Sequence, residues 1–524
     1  MLPKPSILIP AIVAGALSLG VAVAIGHSVQ ANQGHFVFSL DDPYIHLTIA
    51  KNLALHGTWG INPDRFSAAS SAPLYTLLLA LAFVVTGPTE FWAWLFCLSG
   101  AITLIVILTV RAQRFFPSTK PVLLIGFWAI VVTGLPEMMF TGMEHTWHMT
   151  IVVILAALAE KRLSEAQSWS RHDLPLLAVT LVTSALRYET IFLTVPLIWL
   201  FFRSGRKRVA AALAIASVLP ATILGTVQLA HGMTFLPSTI LLKGVYYEHY
   251  GIWSYPIRFL RQIDSPYWIV FLALAAVAVF QIVRRSGSRD PRLAGIAMFV
   301  SGVLCQSAFG LIERRYVGYL AALGIWISIP WLAEWWQSIG YQTLTRVQKY
   351  AAVGVIACLA GFPLTTRFAD LMRLPDLSQD IYQQQYQMAR FFATYYKGQT
   401  IGLNDIGLVS WAGEVRVLDL WGLGNEEIAH LRVANTYNPD RIREITNREG
   451  AVVVACYPGW FAPHGGLPPE WHPAGYWQVM AKTRTSVGYP MVFFFPVQSE
   501  GYALLQQNLK QYATQLPPDV KVGY

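Results

Sequence analysis

The sequence predicts a polytopic α-helical membrane protein with a soluble α/β domain at its C-terminal end. Three observations lead there. Of 524 residues, 54% are hydrophobic and 13% charged, and the mean hydropathy is +0.45, too apolar for a soluble chain of this length. Apolar runs of membrane-crossing size recur as far as Leu364. Beyond Arg367 charge density becomes ordinary, and short β-like runs at 400–403, 415–420, 451–455 and 491–497 are spaced by helical patterns. The expected organisation is a membrane domain over 1–366, with a first outer loop at 29–73, and a soluble domain over 367–524.

The first apolar run, 7–25, is longer than the core of a secretory signal and reads as an uncleaved anchor. Further candidate spans are 91–110, 122–140, 146–159, 174–186, 191–202, 209–229, 268–283, 294–311, 317–333 and 351–364, about eleven transmembrane helices in all. The stretch 74–85 is apolar but short, and it ends in Thr86-Gly87-Pro88. If it is interfacial or re-entrant, the basic loops marked by Lys4, Arg111, Lys161, Arg206, Arg284 and Arg346 all fall on one side, the cytoplasmic one. The Asp41 loop, the Gly142-Met143-Glu144 turn, the loop 231–266, the turn 313–316 and the tail then share the opposite face. In a bacterium that is the periplasmic or extracellular side of the inner membrane. The net charge of +9 is explained by these topology signals, without a nucleic-acid motif. Cys97, Cys305, Cys358 and Cys456 give neither a CxxC pair nor a Cys/His metal spacing.

The polar stretch 36–73 opens with adjacent acids, Asp41 and Asp42. Asp42 followed by Pro43 reads as a helix N-cap, and Ile45, Ile49 and Leu53 recur at helical spacing up to Gly57. Asp42 thus has a structural role open to it. Asp41 has none in the local sequence, which makes it the candidate for chemistry, a solvated surface acid being the alternative. Two short apolar segments, 174–186 and 191–202, are split by Arg187-Tyr188-Glu189. Charge at such a break is tolerated where it lines a cavity or is buried in protein; mutual neutralisation of Arg187 and Glu189 is the plainer alternative.

Several motifs in order resemble a known family. They are Asp41-Asp42-Pro43-Tyr44-Ile45, Lys51-Asn52-Leu53, Gly57, Gly60, Asn62, Ser71-Ala72-Pro73-Leu74-Tyr75, Thr141-Gly142-Met143-Glu144, Leu186-Arg187-Tyr188-Glu189, Leu236-Pro237-Ser238-Thr239 with Lys243, Arg315-Tyr316, Asn404-Asp405-Ile406-Gly407 and the run 418–423. Together they resemble GT-C membrane glycosyltransferases, in particular the branch with cell-wall arabinofuranosyltransferases. Tyr188, Thr190 and Ser238 depart from the residues usual there.

The resemblance implies a GT-C fold and sugar transfer from a polyprenyl-phosphate donor, lying in membrane lipid, to a glycan, lipid or protein acceptor. Asp41 would be the general base. Asp42 would cap its helix, bind acceptor hydroxyls or hold a cation. Lys243, Arg187 and Arg315 would stabilise the leaving phosphate, Lys243 having interfacial snorkelling as an alternative. Glu144 would orient the acceptor, join Asp41 and Asp42 around a divalent cation, or cap the helix that follows. Glu189 would line the substrate cavity, and His46 would lie one turn from Asp42 on the same helix face, a packing or hydrogen-bonding role being its alternative. The competing function is a lipid or solute transporter or flippase, against which stands the lack of an internal repeat.

Overall fold

The computed structural model describes residues 6–165, 169–244, 271–272, 274–276, 290–309, 315–340, 367–480 and 486–524. The expected span 351–364 and most of 268–283 lie outside them. The membrane part runs α1 (Leu8–Ala31), α2 (Asp42–His56), α3 (Pro73–Thr86), α4 (Phe91–Gln113), α5 (Thr119–Thr133), α6 (Leu135–Phe140), α7 (His145–Ser164), α8 (Leu174–Leu186), α9 (Ile191–Arg203), α10 (Lys207–Ala230), α11 (Ser238–Gly244), α12 (Leu293–Phe309) and α13 (Gly318–Gly340). Among the described residues α1, α4 and α10 are long and apolar enough to cross a membrane.

The span expected over 122–140 is broken. Gly134 adopts φ 66°, its N–H closes α5, and Leu135-Pro136 opens α6. A left-handed glycine followed by proline stops a helix whatever its hydropathy. The doubtful stretch 74–85 is α3, whose 14 residues span about 21 Å at 1.5 Å each, well short of a hydrocarbon core of about 30 Å. It packs on α2 and α8. Helices α4 and α7 meet at Gly100, where a Cβ would stand 2.8 Å from Thr146 Oγ1; the missing side chain lets the backbones close up.

The C-terminal part runs α14 (Leu374–Ile381), a π turn (Tyr382–Tyr386), α15 (Gln387–Tyr395), β1 (Thr400–Leu403), α16 (Gly407–Ala412), β2 (Arg416–Asp419), α17 (Glu426–Val433), α18 (Pro439–Arg448), β3 (Ala451–Cys456), β4 (Gly475–Val479), β5 (Met491–Pro496), α19 (Tyr502–Tyr512) and β6 (Val520–Gly523). These strands form one sheet, ordered β2-β1-β3-β5-β4-β6. The strands β2, β1 and β3 are mutually parallel, whereas β5, β4 and β6 join antiparallel. All four expected apolar runs are strands. The sheet does not stand apart: Val37, Phe38, Tyr44 and Leu47 share one apolar cluster with Phe391, Ile401, Leu403 and Val409. The segment 29–73 is therefore packed on the C-terminal sheet by the same burial of apolar surface that holds the sheet together.

Candidate active site between the start of α2 and the C-terminal sheet

The two acids come apart at the start of α2, but not as their sequence suggests. The helix begins at Asp42, and neither acid caps it: Asp41 occupies the capping position and makes no side-chain cap bond. The Asp41 carboxylate turns to the C-terminal domain, accepting the Gly407 N–H at 2.5 Å and the Leu408 N–H at 2.7 Å. Asp41 is 6% exposed. So the residue without a structural role in the local sequence does have one, since its partners lie 366 and 367 positions away. Only glycine fits opposite it: a Cβ on Gly407 would overlap the Asp41 carbonyl oxygen and stand 2.7 Å from Asp41 Oδ2.

Burial raises the Asp41 carboxyl to about 6, against the Leu408 N–H, a side-chain hydrogen bond with Asp405 and the Gly407 N–H, which lower it. Asp405, at the carboxyl end of β1, is pushed well above the usual carboxylate range, first by burial and then by the Asp41 charge. Its Oδ2 accepts the Gln385 side-chain N–H at 2.9 Å and lies 3.3 Å from the Tyr457 hydroxyl. Gln385 sits on the π turn, a local widening that frequently accompanies function.

Asp42 faces outward, its side chain 38% exposed, and pairs with Arg315 at 2.6 Å. Arg315 lies over the Tyr316 ring at 4.9 Å, and Arg187 lies over the same ring at 5.2 Å. Arg187 is clamped by two acids: Nη1 reaches Glu144 at 2.7 Å, Nη2 and Nε reach Glu189 at 2.5 and 3.1 Å. Asp42, Arg315, Arg187, Glu144 and Glu189 thus form one linked chain of charge, joined across the Tyr316 ring, from the start of α2 to the α8–α9 break.

Some expectations fail here. The carboxylate cage around a divalent cation does not form, because Asp41 is turned to backbone donors and Glu144 to Arg187. Among the described residues no three of His, Cys, Asp or Glu gather where they could hold a metal ion. Glu144 makes no capping bond to α7. His46 is buried, with Nδ1 2.9 Å from Thr76 Oγ1 and 3.4 Å from Ser70 Oγ, which ties α2 to α3. The side chain of Lys243 lies outside the described residues. Other contacts escaped the sequence: Trp411 donates to Glu90 at 2.9 Å while Lys51 donates to the Trp411 carbonyl at 2.6 Å. Asn62 mimics a strand, exchanging both hydrogen bonds with Val417 of edge strand β2 at 2.9 and 3.0 Å.

A family model described as a domain of unknown function, DUF8728, matches residues 379–495. No curated protein matches the chain. The structure is similar to that of ArnT from Cupriavidus metallidurans bound to undecaprenyl phosphate, with 11% identity and a TM-score of 0.50 over 93% of this chain and 98% of that one. It is also similar to the same protein in the apo state (12% identity, TM-score 0.49, 93% and 98% covered). A third likeness is to the archaeal oligosaccharyltransferase AglB from Archaeoglobus fulgidus, in complex with an inhibitory peptide and a dolichol-phosphate (10% identity, TM-score 0.48, 97% and 75% covered). With its membrane helices and C-terminal sheet, the chain shares the fold of ArnT.

Proposed function

We propose that this protein transfers a sugar from a polyprenyl-phosphate donor to a glycan, lipid or protein of the cell envelope, on the periplasmic face of a bacterial inner membrane. On this reading residues 1–366 carry the membrane domain and 367–524 the periplasmic one. One observation carries it: two neighbouring acids are held in opposite environments, one on backbone donors of the C-terminal sheet and one on Arg315. Pairs of titratable groups pushed apart by their surroundings mark division of labour in acid–base catalysis.

Asp41, raised to about 6, is poised to accept a proton near neutral pH. Its two oxygens accept the Gly407 and Leu408 N–H groups, and beside the contact with Asp405 a lone pair is left for the proton. Asp42, outward and ion-paired with Arg315, orients the acceptor hydroxyl. As that hydroxyl attacks the anomeric carbon, its proton passes to Asp41 and the bond from carbon to the phosphate oxygen breaks. Arg315 and Lys243 meet the charge growing on the leaving phosphate. Arg187, already shared between Glu144 and Glu189, holds that wall of the site in shape.

The test is transfer of labelled sugar from a panel of undecaprenyl-phosphate sugars by the full-length protein in nanodiscs. Asp41→Asn is expected to abolish transfer, and a wild-type rate in that variant removes Asp41 as base. Movement of labelled lipid across liposomes without any sugar transfer would establish the transporter reading instead.

A further inference from the structure

The mechanism leaves a second, half-buried acid unexplained, and it belongs to the other domain. We propose that Asp405 is a neutral carboxylic acid whose O–H donates to Asp41, so that the C-terminal domain supplies the residue positioning the base. This rests on the reading of Asp41 as that base.

The geometry places the proton. Both Asp41 oxygens are taken by backbone donors, from Gly407 at 2.5 Å and Leu408 at 2.7 Å, and two such donors favour the charged form. Asp405 stands two positions before Gly407 on the same segment, and the two carboxyls interact directly. Its other described partners are uncharged, the Gln385 amide and the Tyr457 hydroxyl. Two desolvated carboxyls in contact resist ionising together, so the one with no backbone donor among the described residues keeps the proton. The directions agree: the contact between the two lowers Asp41 and raises Asp405.

Three titratable groups face the pair from neighbouring elements. Asp42, at the start of α2, adds negative charge and is itself paired with Arg315. Tyr44 of α2 and Tyr457 beyond β3 are held neutral by burial. A neutral Asp405 thus contributes a donor without adding a second charge, and its ionisation at alkaline pH would set two negative carboxyls against each other across the domain junction.

The structural readout is hydrogen exchange at residues 404–412, corrected for intrinsic rates, from pH 6 to 10 on the full-length protein in nanodiscs; the functional readout is the pH profile of transfer. The wild type is expected to lose protection at the alkaline end. Asp405→Asn, which keeps a donor and cannot ionise, is expected to stay protected and to lose the alkaline limb of activity. Asp405→Leu, which removes the donor, is expected to move the acid limb upward by about one pH unit. Asp42→Asn is expected to dock as the wild type does. The same alkaline loss in Asp405→Asn as in the wild type overturns the proposal, as does an unmoved acid limb in Asp405→Leu. The expected exchange pattern in a protein that transfers no sugar keeps the proton on Asp405 and removes the reading of Asp41 as base.

Discussion

Replacing Gly407 by alanine attacks the junction at its tightest point. The added methyl would overlap the Asp41 carbonyl oxygen and crowd its carboxylate at 2.7 Å, so the start of α16 must move. That movement lengthens both N–H bonds to Asp41, now 2.5 and 2.7 Å. Hydrogen bonds to a charged group contribute about 1.5–3 kcal/mol each, whereas alanine gains up to about 1 kcal/mol over glycine in a helix. The net cost is about 3 kcal/mol, roughly a hundredfold in the docking equilibrium. Hydrogen exchange across 404–412 reads that loss, with Gly459→Ala as control, because a Cβ there meets nothing within 4 Å. Protection in Gly407→Ala within about 0.5 kcal/mol of the control, the range of innocuous surface substitutions, would refute the reasoning.

Other expectations follow from the same contacts. Arg187→Ala strands Glu144 and Glu189 and should cost about 3–5 kcal/mol, seen as a large fall in thermal unfolding temperature; lysine should not restore it, because one ammonium cannot reproduce the forked contacts. Arg315→Ala should lower kcat about 10²–10³-fold while leaving unfolding nearly unchanged, since its partner Asp42 is already open to water. With Asp41 raised to about 6, kcat/KM for transfer should rise with pH through that value as the base loses its proton. Asn62→Ala removes two hydrogen bonds from edge strand β2, worth about 2 kcal/mol together, and should loosen the strand measurably by hydrogen exchange.

The membrane character, the strands and the break at Arg187 were legible because each is written in neighbouring residues. Apolar runs report burial in lipid, alternating or continuous β-branched runs report a sheet, and charge inside an apolar stretch reports a break. Two strands escaped notice: β4 reads Gly475-Tyr476-Trp477-Gln478-Val479 and β6 reads Val520-Lys521-Val522-Gly523. Short segments with polar residues on one face carry little pattern. The helix broken at Gly134 was missed for the opposite reason, its hydropathy continuing smoothly through the break.

What the sequence alone determined was composition-driven: a multi-helix membrane protein, a C-terminal sheet, and the residue types available for chemistry. Only the tertiary structure decided which acid is buried, which cation meets which carboxylate, and that Asp405 belongs with Asp41. The physical reason is distance along the chain. Asp42 and Arg315 are 273 positions apart, Asn62 and Val417 are 355 apart, and Asp41 lies 366 from Gly407. Hydropathy and propensity act over one or two turns, whereas a carboxylate's proton affinity is set by whichever donors and charges the fold brings within a few ångströms of it.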